Sequence, residues 1–459
     1  MFLEEIGRIA KIFKSLIKEK RVRIFSHLDA DGICSASIIS KTLIREGTNF
    51  ELKILKQLTR EEIKNLRIRE SDFLVLTDFG SGQLDLLRDL LDRAQVLVID
   101  HHESKAIEHL NLFHLNPLIF NEEEISSSMV SYLFAKSVDI KNADLIDLAI
   151  VGAVADEQDE KWEFRGLAKR ILEEAETIGK IVVTKGLRLY GRITKPIHKT
   201  LEHSFDPIIP GISGSESNAV QFLSELGIAV REDDEWKRLK DLTLEEQKTL
   251  ASAIIIERLR SKHSDAEDIF GDIYTISGRP EELQDAREFA TFLNACGRFG
   301  KADIGIRICL GDLEAVSDAL CVLEEYRKLI GEIINWIREN EAILTKDFGV
   351  YLFGKNFIPE TLIGTITSIL LNSNLIDTNK PIFGFAETDS GEVKVSARVS
   401  RDFKLINLGK IVSDASRQVE GEGGGHVSSA GALIPKGKED KFVQAIEDML
   451  GETFGKRER

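Results

Sequence analysis

The 459-residue chain is long enough for roughly three domains of ordinary size. With 42% hydrophobic residues, 30% charged residues and 8 prolines it has a globular composition, not a disordered or collagenous one. Its apolar stretches are too short and too often broken by charge to span a bilayer. Its 61 Lys and Arg against 77 Asp and Glu leave a net charge of −16, which excludes a broad basic coat for duplex DNA. What remains is a chain that either ignores nucleic acid or binds it locally, through a metal site and a few placed cations.

The opening segment MFLEEIGRIAKIFKSLIKEK carries acids early and has no small-residue cleavage site, so it reads as an amphipathic helix, not a signal peptide. Cys34, Cys296, Cys309 and Cys321 lie far apart with no CxxC spacing. That pattern predicts neither a disulfide scaffold nor a thiolate zinc site, and it suits a cytoplasmic location with no membrane partner. From about residue 20 to 155 short apolar runs alternate with amphipathic stretches. VRIFSH (22–27), FELKIL (50–55), FLVLT (73–77) and QVLVI (95–99) are predicted strands, with helices between them. This alternation is the mark of βαβ units on a parallel sheet. Helices are predicted to continue to about 180.

Three of those strands end in ionisable residues. VRIF runs into Ser26-His27-Leu28-Asp29-Ala30-Asp31-Gly32, FLVLT into Asp78-Phe79-Gly80, and QVLVI into Asp100-His101-His102. Asp156 follows the apolar stretch AIVGAVA. In an open parallel sheet ligands bind beyond the carboxyl ends of the strands, so neighbouring strands would aim all these groups into one crevice. There the carboxylates of Asp29, Asp31, Asp78 and Asp156 would repel one another unless divalent cations intervened, with His27 and His101 as neutral donors. A mixed carboxylate and imidazole set suits manganese better than magnesium, though Mg2+ is a possible substitute. Two ions spaced on the order of 4 Å would share one carboxylate, and Asp78, alone at its strand end, is the expected bridge. His102 is expected to face substrate, as a phosphate contact or proton donor. Taken singly each motif reads as a turn or a strand cap; their conjunction at successive strand ends does not. His109, His114, His198, His203 and His263 have no comparable setting.

The stretch from about 185 to 345 is less regular. It holds FDPIIPGISGSESN, the charged block REDDEWKRLKDLTLEEQK and a long helical run leading out. From about 346 strand-like segments return, GVYLFGK, PIFGFAE and EVKVSARVS, followed by GEGGGHVSSAGA and a closing helix. The glycines there would let backbone N–H groups approach a phosphate, with His426 as a donor at the loop end. Arg398, among small neighbours, offers a guanidinium for bidentate phosphate binding, whereas Arg401 reads as a surface arginine.

Taken in order, SHLDADG, DFG, VIDHHES, GAVADEQD and GGGHVSSAGA make the chain resemble the DHH superfamily of phosphoesterases with a DHHA1 domain, and within it the archaeal RecJ-like nucleases. The motifs span His27 to Gly431. The resemblance implies an α/β fold: a DHH domain with a parallel sheet flanked by helices, a smaller α/β DHHA1 domain, a mostly helical middle region and a long connecting helix. The expected boundaries are 1–185 for the DHH domain, 186–312 for a middle region that completes it or forms a partner-docking insertion, 313–345 for the connecting helix and 346–459 for the DHHA1 domain. It also implies two Mn2+ ions on His27, Asp29, Asp31, Asp78, His101 and Asp156, with Asp100 orienting a neighbouring imidazole. Gly424, Gly425 and His426, with Arg398, would hold the substrate phosphate, and a cleft between the domains would admit single strands.

The expected activity is a manganese-dependent exonuclease that releases mononucleotides from single-stranded DNA or RNA, favouring 3′→5′, in replication or repair. If the middle region is a docking insertion, its expected partner is a replication or repair protein, such as a helicase or replisome component; the alternative for its charged block is a solvated helical face. The alternatives are a small-substrate phosphodiesterase, acting on very short RNA, cyclic dinucleotides or phosphoadenosine phosphate, and a non-catalytic replication scaffold.

Overall fold

The computed structural model describes residues 1–104, 107–159, 163–204, 207–261, 266–371, 376, 379–400 and 406–455; His263 and Arg401 lie outside them. Five strands form the first sheet: β1 (Arg21–His27), β2 (Phe50–Leu55), β3 (Asp72–Thr77), β4 (Gln95–Ile99) and β5 (Leu112–Leu115). Their order is β2-β1-β3-β4-β5 and every pairing is parallel. β3 is buried along its whole length, as a strand covered on both faces must be, which is why it reads as an unbroken apolar run. Burying each such Leu or Val contributes about 1.5–3 kcal/mol.

One face of this sheet packs Phe25, Leu74, Leu76, Val96 and Val98 against Ile63, Leu66, Leu84, Leu87 and Leu91. On the other, Phe13 of the Phe2–Leu16 helix meets both Phe73 and Phe134. The Ala30–Arg45 helix there packs on Ser127–Val138 and Ile146–Ala155. Because β1, β3 and β4 are adjacent, the strand-end motifs of the sequence stand side by side.

Beyond this, β6 (Ile181–Leu187) pairs antiparallel with β9 (Phe270–Ile276). Between them lie the helices Ile197–Glu202, Glu216–Glu225 and Leu244–Arg260 and a short hairpin of β7 (Arg231–Glu232) and β8 (Glu235–Trp236). They close on their own core of Leu187, Ile197, Leu201, Ile209, Leu223, Leu250 and Ile254. The charged block of the sequence therefore splits into that hairpin and the start of a helix. The helices Ala286–Arg298 and Ala302–Leu310 then pack back onto Ala30–Arg45.

By contact density the chain divides into residues 1–204 with 209–323, and 205–208 with 324–459, so the division falls inside the Ala315–Glu339 helix. The second unit is a six-stranded sheet of β10 (Ile343–Thr345), β11 (Val350–Phe353), β12 (Ile382–Glu387), β13 (Glu392–Arg398), β14 (Glu422–Gly425) and β15 (Ser429–Pro435). Its order is β10-β11-β12-β13-β15-β14. Phe385, Val395, Ala397, Ile434, Leu408, Val412, Phe442 and Ile446 form its core. The glycine cluster, read from the sequence as a loop, is largely strand: Gly423, Gly424 and Gly425 lie in edge strand β14, opposite Ala432, Gly431 and Ala430. Among the described residues no helix is long and apolar enough to cross a membrane.

Candidate metal centre

His27 ends β1 and Asp29 caps the helix that follows, its Oδ1 accepting from the backbone N–H of Gly32 at 3.0 Å. The turn is tight enough that a Cβ on Gly32 would lie 2.3 Å from the His27 carbonyl oxygen, so glycine is required there. Asp31, in the first turn of the same helix, is buried, and its two oxygens accept from Ser127 N–H at 2.8 Å and Ser128 N–H at 3.0 Å. Those amides open the Ser127–Val138 helix, a natural anion seat. Asp78 follows β3 with φ +63, a left-handed conformation tolerated by aspartate and consistent with a site that stores backbone strain.

The strand ends meet at Asp78. One of its oxygens lies 3.4 Å from His27 Nδ1 and the other 3.5 Å from His101 Nε2. Around it three groups of potential donor atoms fall within 4.8 Å of one another: His27 with Asp29 and Asp78; Asp78 with Asp100, His101 and His102; and His101 with Glu124 and Asp156. Within these, His27 Nδ1 is 2.9 Å from Asp29, and His101 Nδ1 is 2.9 Å from Glu124 and 3.6 Å from Asp156. Asp31 belongs to none of the three, although its charge is felt by its neighbours there; each of its oxygens keeps a second lone pair beyond the backbone bond.

Asp100 is placed differently. Its Oδ2 accepts from Ser81 N–H, and its Oδ1 takes the His101 and His102 amides and the His102 ring Nδ1 at 2.7 Å. With its oxygens so occupied, it can orient His102 but has little left for an ion. His102 is the half-exposed member of the pair, 43% against 3% for the His101 side chain, so its Nε2 is the one that a substrate can reach.

The electrostatics show a site short of positive charge. Among the described residues no Lys or Arg forms an ion pair with Asp29, Asp31, Asp78, Asp100 or Asp156. Burial, reinforced by Asp78 and Asp156, drives Asp31 well above the carboxylate range. Burial lifts Asp156 to about 7; His101 pulls against that, while Asp78 and Asp29 add to it. Burial would raise Asp78 too, but the imidazoles of His101 and His27 outweigh it and hold Asp78 well below its ordinary value. The imidazoles answer in kind: burial disfavours their charge, yet Asp29 and Asp78 hold His27 up at about 10, and Asp156, Asp78 and Glu124 hold His101 well above 6.5. A carboxylate and imidazole set of this kind, with no fixed cation to balance it, fits divalent metal ions. His27, Asp29, Asp31, Asp78, His101 and Asp156 are the residues that could hold them.

Two participants escape the sequence reading. Glu124, at His101 Nδ1, stands where a carboxylate fixes the tautomer of a metal-binding imidazole. No motif marks it; it is one acid in the run NEEE. His114, set aside above, accepts or donates at Ser81 Oγ, 2.8 Å away, directly behind the Asp100 loop. Burial holds it down at about 4, so it is neutral there. In the second unit, Arg398 donates to Ser368 Oγ and Ser396 Oγ, both at 3.3 Å, and to Ala397 O at 2.9 Å, which fixes its guanidinium on the sheet face. Gly424 has open space where a side chain would stand, and His426 begins the turn between β14 and β15 with its N–H on Ser429 O.

Family models match three stretches of the chain: the DHH family N-terminal domain at 21–155, the DHH-CID domain at 189–269 and the DHHA1 domain at 356–452. An uncharacterized protein of Methanocaldococcus jannaschii is 31% identical, covering 98% of this chain and 99% of its own. Among solved structures, RecJ from Thermus thermophilus in complex with Mn2+ aligns with a TM-score of 0.60 at 17% identity. The alignment takes in 98% of this chain but spans only 55% of that RecJ. CDC45 from Entamoeba histolytica aligns at 0.65 with 12% identity, over 98% of this chain and 99% of its own. These likenesses speak to fold.

Proposed function

Because the chain belongs to the DHH/DHHA1 family and has a RecJ-like fold, with an acidic cluster suited to metal ions, we propose that it is a manganese-dependent exonuclease. In this reading it hydrolyses single-stranded DNA or RNA to mononucleotides with a pair of ions. The observation that carries the reading is the placement of Asp78, whose two oxygens face His27 and His101 separately, as a carboxylate shared by two ions would. The choice of Mn2+ is supported by the mixed donor set; the Thermus RecJ is seen with Mn2+ and also with Mg2+, which stays a possible substitute. Attack from the 3′ end and a role in replication or repair are carried over from the family resemblance. A cytoplasmic location is supported by four cysteines free of disulfides.

Bound ions would supply Lewis acidity toward a phosphoryl oxygen and bring the pKa of water near neutrality. The chain's own part is positioning. Asp31 and Asp78 are held rigid by the Ser127 and Ser128 amides and by the strand end, so they need not reorganise during the reaction. His102 is aimed by Asp100, whose carboxylate raises the imidazole pKa against the pull of burial; in its protonated form it contacts the phosphate and gives its Nε2 proton to the leaving oxygen. Arg398, with Gly424 and Gly425 at the end of β14 and His426 just beyond them, holds a substrate phosphate on the second unit.

The test is digestion of 5′- and 3′-end-labelled DNA and RNA oligonucleotides of increasing length with Mn2+. Processive loss of one end to mononucleotides supports the proposal. Activity confined to dimers and trimers supports the small-substrate phosphodiesterase instead. The likeness to CDC45 favours one further reading, a replication scaffold, which no cleavage at all would support.

A further inference from the structure

Three residues beyond Asp156, the Asp159 carboxylate is 2% exposed, a position that costs a great deal unless the charge is paired. Two arginines pair it: Arg188 Nη2 donates to Asp159 Oδ2 at 3.0 Å and Arg287 Nη2 to the same oxygen at 2.7 Å. Arg188 stands just before the 189–269 stretch matched by the DHH-CID domain; Arg287 comes after it, in the first turn of the Ala286–Arg298 helix. One carboxylate thus fastens the Asp156 loop to the chain on both sides of that stretch.

Little slack remains between Asp156 and this anchor. Asp156, Glu157 and Gln158 donate their N–H groups back to Gly152, Val154 and Ala153, with Glu157 in the left-handed region at φ +55. The Gln158 side chain donates to Asp156 Oδ2 at 3.1 Å and accepts from Ser126 N–H at 2.5 Å. We propose that Asp159 is a positioning residue for the metal centre. Held by Arg188 and Arg287, it fixes the 156–159 segment so that the Asp156 carboxylate meets the ions. This rests on Asp156 being a metal ligand.

Both arginines bond one oxygen, so Asp159→Asn keeps the shape of the contact and removes its charge. Mn2+ binding is measured by calorimetry and Mn2+ electron paramagnetic resonance for the wild type, Asp159→Asn, Arg287→Gln and Arg287→Lys, with the fold of each checked by melting without metal. Expected is a loss of Mn2+ affinity of about 10–100-fold in Asp159→Asn, as for other residues that orient a ligand, and a smaller loss in Arg287→Gln that Arg287→Lys restores. If Asp159→Asn does not fold, Arg287→Gln against Arg287→Lys decides alone. Folded Asp159→Asn or Arg287→Gln protein binding Mn2+ as the wild type does would overturn the inference while leaving the metal reading intact. A wild type that binds no Mn2+ would overturn both.

Discussion

Donor atoms of His102 and Asp78 lie within 4.8 Å of one another, but the two side chains are placed differently. Asp78 is buried between two imidazoles, whereas His102 reaches outward from Asp100. His102→Ala is expected to lower kcat by about 10²–10⁴-fold while Mn2+ affinity stays near the wild-type value; paired kinetics and calorimetry check this. A second residue tests burial electrostatics away from the metal site. Glu288 is 1% exposed, accepts from Ile193 N–H at 2.8 Å and from Thr194, and is lifted to about 7 by burial and by the Asp285 carboxylate. Its folded pKa lies above the ordinary 4.5, so folding takes up a proton between these values. Stability from this group is complete below pH 4.5 and falls as pH rises through 7. Glu288→Gln should remove that fall, being more stable than the wild type at pH 8 by on the order of 2–3 kcal/mol, and so melting higher, and converging with it near pH 4.5. Melting curves that stay parallel across this range would contradict it. Residues of the first kind were legible because they stand at strand ends in motifs. Glu124 stands in no motif, and Asp159, though it closes GAVADEQD, has arginine partners that only the folded chain brings to it.

At the scale of elements, β3 and β4 were readable because buried parallel strands are near-continuous apolar runs, and β1 and the edge strand β2 because apolar residues alternate with exposed or half-buried polar ones along them. β5 was missed: it is four residues long and carries His114 in its middle. The glycine cluster was misread for a related reason. Glycine has little strand propensity of its own, and β14 forms because β15 pairs with it. Helix contacts explain another glycine. A Cβ on Gly152 of the Ile146–Ala155 helix would lie 2.2 Å from Ser128 Oγ and 2.5 Å from Asp31 Oδ1. Gly152→Ala should therefore cost about 1–3 kcal/mol of stability and weaken Mn2+ binding by displacing Asp31. Gly424→Ala meets open space and should leave the melting temperature unchanged. Equal melting temperatures for the two variants would show that the close approach at Gly152 is not constraining.

For the whole molecule, the net charge of −16 sets a constraint on how substrate is held. A chain that binds a strand by a metal pair and a few cations contacts few phosphates, so few counterions are released. The salt dependence of log(kcat/KM) on single-stranded DNA should then correspond to about two to four phosphate contacts. A slope matching roughly six or more would require a broad basic track and contradict the local-binding account. The division of the chain into two units was partly legible, since strand-rich segments return near 346. The independent core of the middle region was not, because its apolar residues are scattered among a charged block and short helices.

The most direct measurement is anomalous diffraction at the manganese edge from crystals grown with Mn2+. Two peaks are expected on the order of 4 Å apart on either side of the Asp78 carboxylate, with His27 and Asp29 on one and His101 and Asp156 on the other, and neither peak in Asp78→Ala. Wild-type crystals with no manganese at Asp78, or an Asp78→Ala protein that keeps both ions, would contradict this.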